Sequence, residues 1–223
     1  MYGFNSLQAQ AIIVSVDYHD FLSLTLEANA HHFESLIVAT TPQDKKTQSI
    51  VSSVPNATCH VTEVFYEKRC SFNKGAAIEE CLGLTSRLGW FVLMDADIIM
   101  PKEIMLHSMD EQKLYCPYRR ILENPSLYES FYKDEKDWVN LYLEDYNGRV
   151  TCGYFQLFNS NAKPLQHTPW FPTTVCDAGG SDILFDDKWD MSNKTRIITL
   201  QVLHLGKTCE NWWGRKSPFF KND

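Results

Sequence analysis

Short runs of β-branched and other apolar residues alternate with longer helical patterns through the first half of this chain. That alternation restricts the fold more than any other feature. Ala11–Val16 (AIIVSV) reads as a buried strand, Phe21–Phe33 as a helix and Leu36–Thr40 (LIVAT) as a second strand. Pro42 suits the first turn of another helix, and Thr58–Tyr66 reads as a third strand. Lys74–Leu88 carries Ile78, Cys81, Leu82 and Leu88 on one face, which predicts an amphipathic helix. Trp90–Met94 (WFVLM) is a fourth buried strand. Strands that are apolar throughout and separated by helices predict an α/β fold with a mostly parallel central sheet covered on both faces. Ligands of such sheets bind at the carboxyl ends of the strands. Asp17, Thr40 and Asp95 are therefore expected along one edge.

The second half is less regular. Tyr118–Asn147, rich in aromatic and charged residues, predicts a helical insertion or a lid. Cys152–Phe158 (CGYFQLF) reads as a strand, Ser181–Lys188 as a short helix behind a Gly179-Gly180 turn, and Ile197–Leu205 as a last strand. No internal repeat or low-complexity linker divides the 223 residues, which fits one domain.

Composition narrows the function classes. Hydrophobic residues at 44% and charged residues at 22% support a packed core. A net charge of −7 disfavours a nucleic-acid binder. The seven cysteines are scattered without a C-x-x-C pair, which argues against a zinc ribbon or a dense disulfide frame and predicts reduced thiols. No apolar run reaches the roughly 18 residues of a membrane helix, and the N-terminus lacks the pattern of a signal peptide. The expectation is a soluble cytoplasmic protein without a membrane anchor.

Asp95-Ala96-Asp97 directly follows the apolar strand WFVLM. Two carboxylates two residues apart at a strand end can converge on one hard cation. Mg²⁺ or Mn²⁺ takes such oxygen ligands and completes its shell with substrate phosphates. A nucleotide diphosphate needs that cation to neutralise its leaving charge.

Strand–Asp17, strand–Thr40, Asn73-Lys74-Gly75 before a helix, then strand–Asp95-Ala96-Asp97: this order resembles the nucleotide-binding half of GT-A glycosyltransferases. It is most similar to the family 2 type and its galactosyltransferase relatives. The resemblance continues through Ala178-Gly179-Gly180-Ser181-Asp182 and Leu203-His204-Leu205-Gly206, and spans roughly residues 10–215. It implies a Rossmann-like GT-A sheet with a smaller acceptor-side β region, all in one domain over 1–223. Residues from about 1–110 would form the nucleotide-sugar-binding half, and about 111–223 the acceptor and catalytic half.

The resemblance also implies roles. Asp17 would accept a hydrogen bond from the base, or else cap the helix that follows. Tyr18 would stack on the base, and Thr40 stands where relatives often place an acid. Asn73 and Lys74, with Arg69 as a second cation, would meet the diphosphate at a helix N-terminus. Asp95 and Ala96 would line the donor site. Asp95, Asp97 and His204 would hold Mn²⁺ or Mg²⁺. Lys207 and Arg215 would clamp the diphosphate from a C-terminal flap, with Trp212 and Trp213 beside the sugar or acceptor. Gly153-Tyr154-Phe155-Gln156 would form the acceptor-side strand. Asp182 would act as general base, whereas Asp186 and Asp187 read as surface charges.

The implied activity is transfer of a sugar, with inversion, from a nucleotide diphosphate donor such as a UDP-sugar to a hydroxyl acceptor of unspecified class. A modified DNA base, the acceptor of some compact phage proteins of this kind, is disfavoured by the pI of about 5.5. Two rivals stand beside this reading. A sugar-1-phosphate nucleotidyltransferase usually has a glycine-rich loop after its first strand, where this chain has Asp17-Tyr18-His19-Asp20. The other rival is a non-catalytic domain that binds sugar nucleotides or glycans.

Overall fold

The computed structural model describes residues 8–104, 106, 108–144, 153–208, 210–211 and 213–215. Within them the chain forms β1 (Ala9–Val14), α1 (His19–Ala30), β2 (Ser35–Thr40), α2 (Lys45–Ser52), β3 (Ala57–Val61), α3 (Lys74–Gly83), β4 (Trp90–Asp95) and β5 (Ile98–Ile99). The second half supplies β6 (Leu114–Leu122), β7 (Tyr142–Glu144), β8 (Phe155–Asn159), α4 (Ala178–Asp186) and β9 (Lys194–Leu205). The strands make one sheet in the order β3-β2-β1-β4-β8-β6-β9-β5, with β7 paired to β6. β1 to β4 are mutually parallel, and β6 and β9 run the same way. Only β5, β7 and β8 oppose them, so the sheet is mostly parallel.

Side chains alternate across the sheet as the two-residue period of a strand requires. Ala11, Ile13, Leu36, Val38, Val92 and Met94 pack with Leu22 and Leu26 of α1 and Val51 of α2. Ile12, Ile37, Ala39, Phe91 and Leu93 pack on the other face with Ala77, Ile78 and Cys81 of α3 and Phe185 of α4. Both faces are buried, which is why the centres of these strands are apolar without alternation. Each fully buried aliphatic or aromatic side chain contributes about 1.5–3 kcal/mol.

The structure moves several predicted boundaries. Pro42 lies ahead of α2, which begins at Lys45 and is capped by Asp44: its carboxylate accepts from the Thr47 amide at 3.1 Å. The third strand stops at Val61, and a 3-10 helix, Val64–Arg69, replaces its predicted end. The predicted insertion at Tyr118–Asn147 is a long strand, β6, followed by short helical turns and β7; residues 145–147 lie outside the described ones. The Gly179-Gly180 pair sits inside the first turn of α4, which Asp177 caps. The expectation of reduced thiols is corrected: Cys70 and Cys176 form a disulfide. No helix among the described residues is long and apolar enough to cross a membrane.

Candidate active site

A cleft of about 460 Å³ opens where β1 and β4 end, walled by Tyr18, Phe72, Lys74, Asp97, Asp182 and His204, among others. Asp95 is the last residue of β4 and pairs in register with Val14 of β1. The turn that follows it is held from behind by α1. Thr25 Oγ1 donates to the Ala96 carbonyl at 2.7 Å, and Asn29 Nδ2 donates to the Ile98 carbonyl at 2.7 Å. Asn29 Oδ1 accepts from the Met100 amide at 2.8 Å. One helical turn apart, the two polar side chains share a helix face, and together they fix the loop that carries Asp97.

β5 pairs with β9 so that Ile98 faces His204. This pairing carries His204 to Asp97, with Nε2 at 3.8 Å from Oδ2. His204 Nδ1 lies 3.2 Å from the Gly206 carbonyl. A proton on Nδ1 satisfies that carbonyl and aims the Nε2 lone pair at the carboxylate. Burial, then the nearby Arg119, lowers the His204 pKa to about 4, so the ring is neutral. Burial and the neighbouring Asp95 push Asp97 up to about 7. Asp97 Oδ1 is buried with no hydrogen-bond partner among the described residues. Two buried acceptors facing each other without a donor suit a cation. An imidazole oriented by a backbone carbonyl on its other nitrogen is the usual state of a metal ligand. Asp97 and His204 therefore fit a divalent ion. Asp95 is bonded to Lys74, and no closed set of three donors stands among the described residues.

Lys74, the first residue of α3, reaches Asp95 Oδ1 at 2.8 Å and Asp182 Oδ2 at 2.9 Å. Asp182, in the second turn of α4, is raised to about 7 by burial, against the pull of Lys74. Its carboxylate lies on the backbone of Gly153; a Cβ there would stand 2.2 Å from Oδ2. Only glycine leaves room for the acid.

Of the remaining predicted residues, Tyr18, Ala96, Lys207 and Arg215 line the cleft. Arg215 is committed to Asp20: Nη2 donates to Asp20 Oδ2 at 2.8 Å, and Nη1 donates to the Asp17 carbonyl at 3.1 Å. Three predicted donor-site residues lie off the cleft wall. Thr40 is fully buried and donates to Asp44 Oδ2 at 3.3 Å. Asn73 caps α3, accepting from the Ala76 amide at 2.9 Å and donating to the Thr173 carbonyl at 2.8 Å. Asp17 adopts a left-handed φ of 59°, and its amide donates to Asp44 Oδ2 at 2.8 Å, so it is not the helix cap. Asp186 is corrected from surface charge to a buried partner of Lys194 that lines the cleft. Trp213 is exposed; Trp212 and the Arg69 side chain lie outside the described residues.

Sequence reasoning missed Arg119, buried on the cleft wall, paired with Glu144 and lying 4.2 Å over the Tyr154 ring. It stands beside Arg120 in a segment rich in aromatic and charged residues, so nothing local set it apart. Sequence reasoning also missed Phe72, Asp20, and the pair Thr25 and Asn29, whose polar side chains on the inner face of α1 were legible in principle.

No family model and no curated protein matches the sequence. Solved structures do share its fold. One is a mycobacterial protein at 15% identity, covering 95% of this chain and 68% of that one, with a TM-score of 0.53. Another is glucosyl-3-phosphoglycerate synthase from Mycobacterium tuberculosis, in complex with Mn²⁺, uridine diphosphate and glucosyl-3-phosphoglycerate: 13% identity, 95% and 73% covered, TM-score 0.53. A third is the inositol-1-phosphate CTP transferase from T. maritima, at 9% identity, 92% of each chain covered, TM-score 0.52. The likeness is one of fold, and the fold is GT-A-like.

Proposed function

We propose that this chain is a metal-dependent glycosyltransferase that moves a sugar from a nucleotide diphosphate donor, a UDP-sugar first among them, to a hydroxyl acceptor with inversion. The observation that carries the reading is the facing pair Asp97 and His204, two buried acceptors in the same cleft as the Lys74–Asp182 pair. The similar synthase solved with Mn²⁺ and uridine diphosphate supports the choice of ligands.

Asp97 and His204, joined by Asp95, would hold Mn²⁺ or Mg²⁺. The bound ion supplies charge neutralisation at the departing diphosphate. Lys74 adds a positive charge at a helix N-terminus, where anions are favoured. Tyr18 and Phe72 offer flat apolar walls to a base or sugar. Asp182 takes the proton from the acceptor hydroxyl, and its raised pKa suits that task near neutral pH. A positioned base contributes about 10²–10⁴-fold. Residues of about 1–110 would bind the donor, and those of about 111–223 would bring the acceptor and the base.

The CTP transferase of similar fold favours a second reading, nucleotidyl transfer to a sugar phosphate. One assay separates them. The protein is incubated with Mn²⁺ and a panel of sugar nucleotides, then with nucleoside triphosphates and sugar phosphates. Release of nucleoside diphosphate, lost in Asp97→Asn and Asp182→Asn, supports glycosyl transfer. Release of pyrophosphate from the triphosphates selects the second reading. Binding without either product marks a non-catalytic domain.

A further inference from the structure

A single ammonium group holds both Asp95 and Asp182. Lys74 Nζ donates to one at 2.8 Å and to the other at 2.9 Å, and its side chain is only 9% exposed. An ammonium has three N–H donors, so two are used within the protein. The Asp182 oxygen that meets the ammonium is occupied by that hydrogen bond and is not open to an acceptor hydroxyl. The Gly153 backbone packs closely against the same carboxylate. Asp95 is likewise bonded to the ammonium, and with Asp97 and His204 it makes no closed set of three donors among the described residues. In this arrangement the base and one metal acid are both restrained by the same charge.

A nucleoside diphosphate with its cation would relieve both restraints together. The cation competes for Asp95, and the phosphate oxygens compete for Lys74, already placed at a helix N-terminus. We propose that Lys74 is a positioning residue acting through Asp95 and Asp182: it keeps both acids paired until a nucleoside diphosphate draws the ammonium away, so that the base is set only with the donor in place. This deepens the glycosyltransferase reading and rests on it.

Carboxyl footprinting at one fixed pH tests the idea without any turnover. The full chain is labelled with a water-soluble carbodiimide and an amine, and Asp182 is read by tandem mass spectrometry. UDP with Mn²⁺ is the probe, and its binding is measured separately by calorimetry. Wild type should label weakly at Asp182 and several-fold more strongly with UDP and Mn²⁺. Lys74→Met should label strongly without nucleotide, and Lys74→Arg should restore the low value. Lys74→Gln serves if the methionine variant does not fold. Bound UDP with unchanged or weaker labelling, or a neutral variant that labels like wild type, overturns the latch. Absence of UDP binding would sink the functional reading instead, and the comparison of variants would still decide the latch.

Discussion

Arg215 reaches back across nearly the whole chain to Asp20, its Nη2 donating to Oδ2 at 2.8 Å in a pair whose side chains are 5% and 2% exposed. The guanidinium also lies 4.7 Å over the Tyr18 ring and 4.8 Å over Phe21. The C-terminal strap is thus pinned to the start of α1 beside the cleft. Removing one member of a buried pair strands the other, at about 3–5 kcal/mol. Arg215→Met should lower stability by that amount in urea denaturation. Arg215→Met with Asp20→Asn should recover part of the loss. If the single variant is as stable as wild type, the strap is not held by this pair.

Asn29 predicts a metal phenotype from a residue that touches no ligand. Asn29→Ala orphans the Ile98 carbonyl and the Met100 amide, each costing about 1–3 kcal/mol when buried. The loop carrying Asp97 loses its backing. Mn²⁺ affinity should fall about 10–100-fold, as when an outer partner of a metal ligand is removed. Calorimetric titration checks this, with a destabilised control variant remote from the loop.

Acid should weaken the fold through His32, which is fully buried with its ring 3.8 Å from that of His31. Burial, then the charge of His31, lowers its pKa from 6.5 to about 4. Between those values the unfolded chain binds a proton that the folded chain refuses. The contribution is whole above pH 6.5 and declines as pH falls toward 4. Asp97 and Asp182, both raised, act in the opposite sense over the same range. The informative quantity is therefore a difference: His32→Gln should lose less stability than wild type between about pH 7 and about pH 4.5. Parallel curves would remove His32 from the account.

The disulfide closes a loop of 106 residues. Cross-links of that span typically contribute about 2–4 kcal/mol through the unfolded chain. Cys70→Ser with Cys176→Ser should show that loss under non-reducing conditions. Reductant should lower the denaturation midpoint of wild type toward that of the variant while leaving the variant unmoved. Equal midpoints in all four conditions would mean that the bridge contributes nothing.

The strands of the first half were legible because β1, β2 and β4 are buried on both faces and carry unbroken apolar runs at their centres. Asp95 and Asp97 stood out by their place behind WFVLM, whereas His204, in isolation an ordinary strand-end histidine, was singled out by the resemblance alone. The second half hid for physical reasons. β6 contains Pro117, Arg119 and Arg120, residues that argue against a central strand. It is tolerated because the register with β9 shifts between Pro117 and Tyr118, and because Arg119 finds Glu144. Those compensations lie far away in sequence. The same holds for Cys70 and Cys176, whose pairing no local spacing announces. Thr40 bonds Asp44 and Asn73 caps α3, since a polar residue at a strand end or helix start serves the fold as readily as a ligand.

The antiparallel pairing of β5 with β9 has a practical corollary. Asp97 comes from the first half of the polypeptide and His204 from the second, and they meet only because these two short lengths of backbone zip together. A chain cut in the exposed turn at Glu111 and Gln112 would leave each fragment with one residue of the proposed cation site. Ion capture would then report reassembly of the two pieces, as in a split-protein sensor.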